Sequence, residues 1–176
     1  PILQRAGMDF QYALMKGRSN YICRRRFGEA LNRNPKDDAL KAIADYIANS
    51  SDGTRSDIPF PIETDVWDEV RSDSEQTLRA KCPHFNNCFY YEHRRTAARA
   101  NILIINHHLL LADLLVKAET GGDGILPKFD RLVLDEGHHL EDSATSLLRS
   151  QLSSRSIRNA IAPLLNTKRR PGALQS

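Results

Sequence analysis

Cysteine is scarce in this sequence, with three in 176 residues, and the odd number excludes a complete disulfide framework. The thiols point instead to thiol or metal chemistry in a reducing compartment, the cytoplasm. Long apolar runs are lacking too: nothing approaches the roughly 20 consecutive apolar residues that cross a bilayer, so no membrane partner is expected. The N-terminus, "PILQRAGMDF", lacks the basic-then-apolar order of a secretory signal. No GxxxxGKS or GxxxxGKT occurs, so the glycine loop that cradles phosphates, and its lysine, are not among these residues. Neither sign of charge dominates. A net charge of +3 permits nucleic-acid binding without identifying it, and clustering therefore matters more than the sum. The chain opens on Pro1 and stops in "KRRPGALQS", so a piece of a longer protein is expected.

What is present suits one ordinary domain with a core, or two small ones: 40% of the residues are hydrophobic and 27% charged. "FQYALMKG" alternates Phe10, Tyr12 and Leu14 along one side and ends in Gly17, which predicts a strand. "CRRRFGEALNR" predicts a short helix. "NPKDDALKAIADYIANS" predicts a better one, with Asn34 as N-cap, Pro35 in the first helical position, and Leu40, Ile43, Tyr46 and Ile47 at helical spacing. Residues 51–61 read as loop, and Asp65 to Arg71 as a short helix around Trp67. Pro83 to Ala100 reads as a basic, aromatic helix. Two nearly continuous apolar runs follow, Ile102 to Ile105 and "RLVL" at 131–134, each placed as a strand of a parallel sheet covered on both faces. No internal repeat or long low-complexity segment is present.

"FDRLVLDEGHHLEDSA" delivers two acids, Asp135 and Glu136, just past an apolar run, then two histidines. In doubly wound sheets ligands sit outside the carboxyl ends of the strands. Two carboxylates there have separable roles: one holds magnesium, and the other orients and deprotonates the water that attacks a γ-phosphate. The competing reading is a plain helix start, where the helix dipole favours acids.

These residues carry a resemblance. "LVLDEGHH" resembles motif II, the Walker B box of superfamily 2 helicases in its Asp-Glu-Ala-His form, with Gly137 in the alanine position. "ARANILIINHHLLLADL" resembles the segment preceding that box in the XPD-like iron–sulfur helicases, closest to the bacterial DinG-type branch. "LMKGRSNYICRRRF" and "KCPHFNNCFYYEHRR" resemble the stretches holding that family's first and last two cluster cysteines. The four stretches stand in the family's order between Met15 and Ser143. The resemblance implies an ATP-dependent DNA helicase, usually moving 5′ to 3′ on single strands. Asp135 would bind magnesium, Glu136 would activate water, and His138 would link the nucleotide site to the rest of the motor; His139 receives no role. Asn106 and His107 match the family's Asn-His-His element, although Asn106 also suits a simple helix cap.

The resemblance also implies a 4Fe-4S cluster on four thiolates. Cys23, Cys82 and Cys88 match three, the last two with the expected C-x5-C spacing. The fourth belongs in "SEQTLRAKC" before Cys82, where Thr77 stands near the expected place. Three outcomes follow: a non-cysteine ligand such as Asp73, His84 or His93; a labile three-cysteine cluster; or loss of the cluster with the fold kept by packing. A zinc site of Cys82, His84, Cys88 and His93 competes, although the spacing matches no common zinc pattern and a helix would spread these side chains around its axis.

Arg18, Arg24, Arg25, Arg26, Arg94, Arg95 and Arg99 cluster near the same cysteines, with Tyr21, Phe85, Phe89, Tyr90 and Tyr91 interleaved. Charge with stacking faces suits single-stranded nucleic acid; the plainer reading is a solvated face with the aromatics in the core, which we favour for Phe85 and Phe89, four apart on one helix. The expected architecture is thus α/β: a partial RecA-like motor domain with parallel strands and a mainly helical inserted domain of iron–sulfur type. Residues 1–17 are assigned to motor domain 1, 18–99 to the insertion, 100–145 to motor domain 1 again with motif II, and 146–176 to the start of an arch-type insertion. The partners implied are ATP and single-stranded or forked DNA, the protein acting as a monomer in DNA repair or replication. By itself the chain, lacking the phosphate loop, should not hydrolyse ATP. The alternatives are a non-catalytic nucleic-acid or zinc-binding module that keeps the fold, and a nuclease built on a related motor.

Overall fold

The computed structural model describes residues 7, 10–50 and 52–148. They divide into two compact units, within Pro1–Asp135 and Glu136–Ser176. In the first, strand β1 (Tyr12–Leu14) pairs in parallel with β2 (Ile102–Ile104), Ala13 lying opposite Leu103. The ladder continues at both ends, with Met15 N donating to Ile104 O at 2.9 Å and Asn101 N to Gln11 O at 2.7 Å. The alternation predicted here is real, but the buried face is the other one: Ala13 and Met15 are enclosed, while Tyr12 and Leu14 are about half exposed. Size explains this, since the small Ala13 fits where the sheet meets the helices and a tyrosine would not.

The core sits around residues 21–23, which run between two other segments. Ile22 N donates to Gly53 O, Cys23 N to Val70 O, and Ser72 N to Tyr21 O, at 2.9, 2.8 and 2.7 Å. Tyr21 and Ile22 are consequently sealed, at 0% and 1% exposure. Helix α1 (Arg24–Arg33) leaves this spine directly. Helix α2 (Asp38–Asn49) covers it with Leu40 and Ile43, and α3 (Thr64–Val70) with Trp67 and Val70. The Trp67 indole N–H donates to Ser19 O at 3.2 Å, so the buried ring keeps its polar handle satisfied.

Two helix starts differ from expectation. The cap of α2 is Asp37, whose carboxylate accepts from Leu40 N at 3.0 Å; Asn34 instead closes α1, donating its backbone N–H to Ala30 O. A carboxylate three residues ahead of an orphan N–H outcompetes the more distant Asn-Pro pair. The helix expected from Pro83 is α4 (Phe89–Ala97). Residues 82–88 before it form turns, with Phe85 N donating to Cys82 O, because the Asn86-Asn87 pair favours turn backbone. Phe85 and Phe89 therefore share no helix face: Phe89 is core, whereas Phe85 is half-buried against Tyr91 at a ring separation of 4.6 Å.

Helix α5 (His107–Thr120) is capped by Asn106, whose side chain accepts from Leu109 N at 2.9 Å. It ends on Gly121 at φ 63°, the left-handed stop that glycine adopts without a Cβ penalty. The "RLVL" run is not a strand: among the described residues the sheet has only β1 and β2. An open groove of about 1110 Å³ separates residues 127–135 from β2, so the run has no backbone ladder to join, and Val133 is 91% exposed. A continuous apolar run becomes a covered strand only where neighbouring strands exist to receive it. No described helix is long and apolar enough to cross a membrane.

In the second unit a 3-10 turn (Gly137–His139) leads into α6 (Leu140–Leu148). Most of the segment assigned to an arch insertion, including "TKRRPG", lies outside the described residues.

Candidate nucleotide and nucleic-acid site

Asp135 ends the exposed "RLVLD" run, and its backbone is held in place: His107 Nε2 lies 3.0 Å from Asp135 O. His107 is positioned in turn by the Asn106 cap at the start of α5. The plainer reading of Asn106, a helix cap, is therefore seen, and the contact of His107 with the acid-bearing segment is a feature that sequence reasoning did not anticipate. Glu136, next in the chain, sits at φ 48° and ψ 44°, a left-handed conformation that is uncommon for a residue with a long side chain. Within its own unit its carboxylate Oε2 is 3.4 Å from His138 Nδ1, both side chains being about two-thirds exposed. The ring of His139 lies against that of His138, centroids 4.0 Å apart.

The carboxylate oxygens of Asp135 are the hard donors that magnesium takes, so this residue fits the metal that the resemblance implies. The thiols fit their implied group less well. Cys23 and Cys88 stand immediately before α1 and α4, and Cys82 closes the short turn Arg79–Lys81. All three are partly exposed and free of disulfides. Hydrogen bonds gather the segments that carry them around the start of α1: Arg24 Nε donates to Asn87 O at 2.9 Å, and Arg25 Nη2 to Gln76 O at 2.9 Å. Thr77, at the place of the fourth thiolate, accepts from Arg18 Nη1 at 3.4 Å and from Arg79 N at 3.3 Å. A hydroxyl accepting two hydrogen bonds is no substitute for a thiolate, so a four-thiolate cluster does not fit these residues. Two of the replacement ligands considered are engaged elsewhere: Asp73 accepts from Glu75 N and lies 4.0 Å from Arg26, and His93 Nε2 is 3.5 Å from Asp52. Cys82, His84, Cys88 and His93 do not converge to metal-binding distance among the described residues, and Cys82 and His84 precede the helix that was expected to spread them.

The arginines are half-buried, and their guanidinium groups bind the protein as well as presenting charge. Arg18 lies 3.8 Å above the Tyr90 ring and Arg24 4.1 Å above Phe89. Arg26 donates to the carbonyls of Arg71 and Asp68 at 2.9 and 2.7 Å. Burial pulls the Arg24 and Arg26 guanidiniums below their ordinary value, with Cys88 and with Asp73 and Cys23 respectively countering part of the effect. Arg94 Nη1 donates to Tyr90 OH, and Arg95 Nη2 to Asn86 O; Arg99 is exposed. Of the aromatics, Tyr21, Phe89 and Tyr90 are buried, which leaves Tyr91 and Phe85 as faces within reach of a base.

Asp113 was not anticipated. It is fully buried in α5, accepts from Leu126 N at 2.7 Å, and forms an ion pair with Lys117, whose Nζ lies 2.7 Å from its second oxygen. This fixes the return of residues 121–126 onto the helix that carries His107. The signal was legible as an acid within a leucine run with a lysine four residues on. Lys16 was also missed; its Nζ donates to Thr54 Oγ1 and Ser56 Oγ at 3.0 and 2.6 Å.

The DEAD_2 family model matches residues 6–157. The ATP-dependent DNA helicase YoaA of Escherichia coli K12 is 34% identical over 152 residues, covering 82% of this chain and 24% of that protein. The ATP-dependent helicase DinG of Mycobacterium tuberculosis H37Ra is 26% identical over 163 residues, 82% of this chain and 24% of that one. The ATP-dependent DNA helicase DinG of Salmonella choleraesuis SC-B67 is 26% identical over 168 residues, 84% and 23% respectively. The chain spans about a quarter of the length of these curated relatives.

Proposed function

The chain belongs to the DEAD_2 family and is a DinG/XPD-like superfamily 2 helicase sequence; from that premise we propose that it supplies the water-activating motif and a DNA-contacting surface to a motor that unwinds DNA with ATP. Asp135 would hold the magnesium ion of a bound nucleotide, which would supply charge neutralisation at the phosphates. Glu136 orients the attacking water and takes its proton, and His138 relays the state of the site to the rest of the motor. Arg18, Arg24, Arg25, Arg26, Arg94 and Arg95 face the phosphates of a single strand at the fork, with Tyr91 and Phe85 offering stacking faces. Cys23, Cys82 and Cys88 are the thiolate ligands retained from an iron–sulfur site. In this reading residues 1–17 and 100–145 belong to a RecA-like motor domain, 18–99 to a helical insertion and 146–176 to an arch, in a monomeric cytoplasmic protein of DNA repair or replication.

One observation carries the reading: His107, from the Asn-His-His element, lies against the backbone carbonyl of Asp135 at 3.0 Å. Two stretches 28 residues apart, each matched separately to the family, therefore meet. The DNA half is tested on the full-length protein with forked DNA and ATP. Each phosphate contact removed flattens the dependence of log affinity on log salt by about 0.7 for a single strand. Arg24→Glu with Arg25→Glu should therefore weaken single-strand binding and reduce the slope by about 1.4, with strand separation lost in parallel. Because both arginines also tie α1 to neighbouring turns, an unchanged Trp67 emission spectrum of the same double variant in this 176-residue chain, where it is the single tryptophan, must accompany the result. Wild-type affinity and slope would remove this surface from the proposal.

A further inference from the structure

Glu136, His138 and His139 place one ligand atom each within 4.8 Å of one another, and among the described residues no other set of three histidine, cysteine or acidic side chains does so. Local geometry produces the cluster. In a 3-10 turn the side chains at i and i+3 eclipse, and His139 N donates to Glu136 O at 2.9 Å, which stacks His139 over Glu136. The left-handed backbone of Glu136 brings its carboxylate back to 3.4 Å from His138 Nδ1. A Cβ on Gly137 would meet nothing within 4 Å, so the turn is uncrowded at that position.

We propose that this turn is a surface site for a zinc-class divalent ion, bound by the Glu136 carboxylate and the His138 and His139 imidazoles, with water completing the coordination. The donor set chooses the metal. Two imidazoles and one carboxylate are the ligands of open, four-coordinate zinc sites, and they bind nickel and copper as well. Magnesium takes oxygen donors in octahedral geometry and finds only one here. All three side chains are exposed, so the ion enters without opening the fold. The consequence rests on the role given to Glu136 above: a carboxylate ligating zinc cannot take the proton of the attacking water, so the metal is an inhibitor of the motor. His139, which has no part in the proposed hydrolysis, is then a regulatory ligand.

The test uses the chain itself, labelled with 15N at its six histidines and titrated with zinc chloride while imidazole resonances are followed. The thiols of Cys23, Cys82 and Cys88 also bind zinc, and the readout separates them because they move no signal of His138 or His139 directly. The expected result is joint, saturable shifts of His138 and His139. In His139→Ala the apparent affinity read at His138 should fall at least about tenfold, as for other metal sites losing supporting groups. His108→Ala, an exposed histidine outside the turn, should leave it unchanged. Resonances of His138 and His139 that stay still while those of His84 and His93 shift would overturn the site, as would an unchanged affinity in His139→Ala. In the full-length protein, zinc should inhibit DNA-stimulated ATP hydrolysis of the wild type and spare His139→Ala; equal inhibition of both would overturn the regulatory role. If Glu136→Gln hydrolyses ATP normally while the imidazoles still bind zinc, the hydrolytic reading has failed and the metal site stands.

Discussion

Gly53 and Gly28 make opposite predictions from the same substitution. Gly53 lies at φ 63°, and a Cβ there would collide with the ring of Phe89, which is 3% exposed. Its carbonyl also accepts from Ile22 N, at the centre of the core. Gly53→Ala therefore incurs left-handed strain of about 1–2 kcal/mol and overpacking of about 1–3 kcal/mol. The sum, about 2–5 kcal/mol, lowers the folded-to-unfolded ratio by about 30-fold to several thousand-fold, taking tenfold per 1.4 kcal/mol. Gly28 lies inside α1 with nothing within 4 Å of a Cβ, so Gly28→Ala should stabilise by about 0.5–1 kcal/mol through helix propensity. Both are read by urea unfolding with the fluorescence of Trp67, the single tryptophan, 3% exposed and in the same core as Phe89. The two midpoints should move in opposite directions at unchanged denaturant slope. A cost below about 1 kcal/mol at Gly53, or movement of both midpoints in one direction, would refute the packing around residues 21–23 and 53.

Asp37→Ala should destabilise by about 1 kcal/mol in the same assay while Asn34→Ala does little, because the cap of α2 is the carboxylate; equal effects would restore the Asn-Pro start. Hydrogen bonding to Asp52, then to Thr54, holds the Asp57 carboxyl below its ordinary value of 3.8. Its stabilisation is therefore complete above that value and disappears as pH falls through the lower folded value. In Asp57→Asn the drop in urea midpoint between about pH 6 and about pH 3 should shrink, and an unchanged drop would dismiss the pairing. Thr77→Cys should raise iron and sulfide retained per chain in protein purified without oxygen, since it completes a four-thiolate set. Retention equal to that of the wild type would mean that Thr77 does not stand at the fourth position.

Much of the helical part was legible because its signals are local. Leu40 and Ile43 sit in the core as their spacing required, and the Thr64–Val70 helix around Trp67 is within a residue of expectation. The failures occur where a partner outside the local pattern decides. Alternation identified β1 but not its buried face, which depends on how close the helices approach. The apolar run before Asp135 needed a neighbouring strand that these residues do not supply. The helix before Cys88 gave way to the turn preference of Asn86 and Asn87. At the site, motif spacing is what nominated Asp135, Glu136 and the thiols. That the arginines are tied to carbonyls and aromatic rings was not readable from a count of charges, because the hydrogen bonds to carbonyls join residues up to 63 positions apart and the ring contacts reach further still.

The central claim, that Glu136 activates water in a DNA-driven ATPase, is tested most directly by DNA-stimulated ATP hydrolysis of the full-length protein carrying Glu136→Gln. The substitution keeps size and hydrogen bonding but removes the base, and general-base removal typically costs about 10²–10⁴ in rate. The account predicts a loss of that size with single-strand binding retained; hydrolysis at the wild-type rate would contradict it.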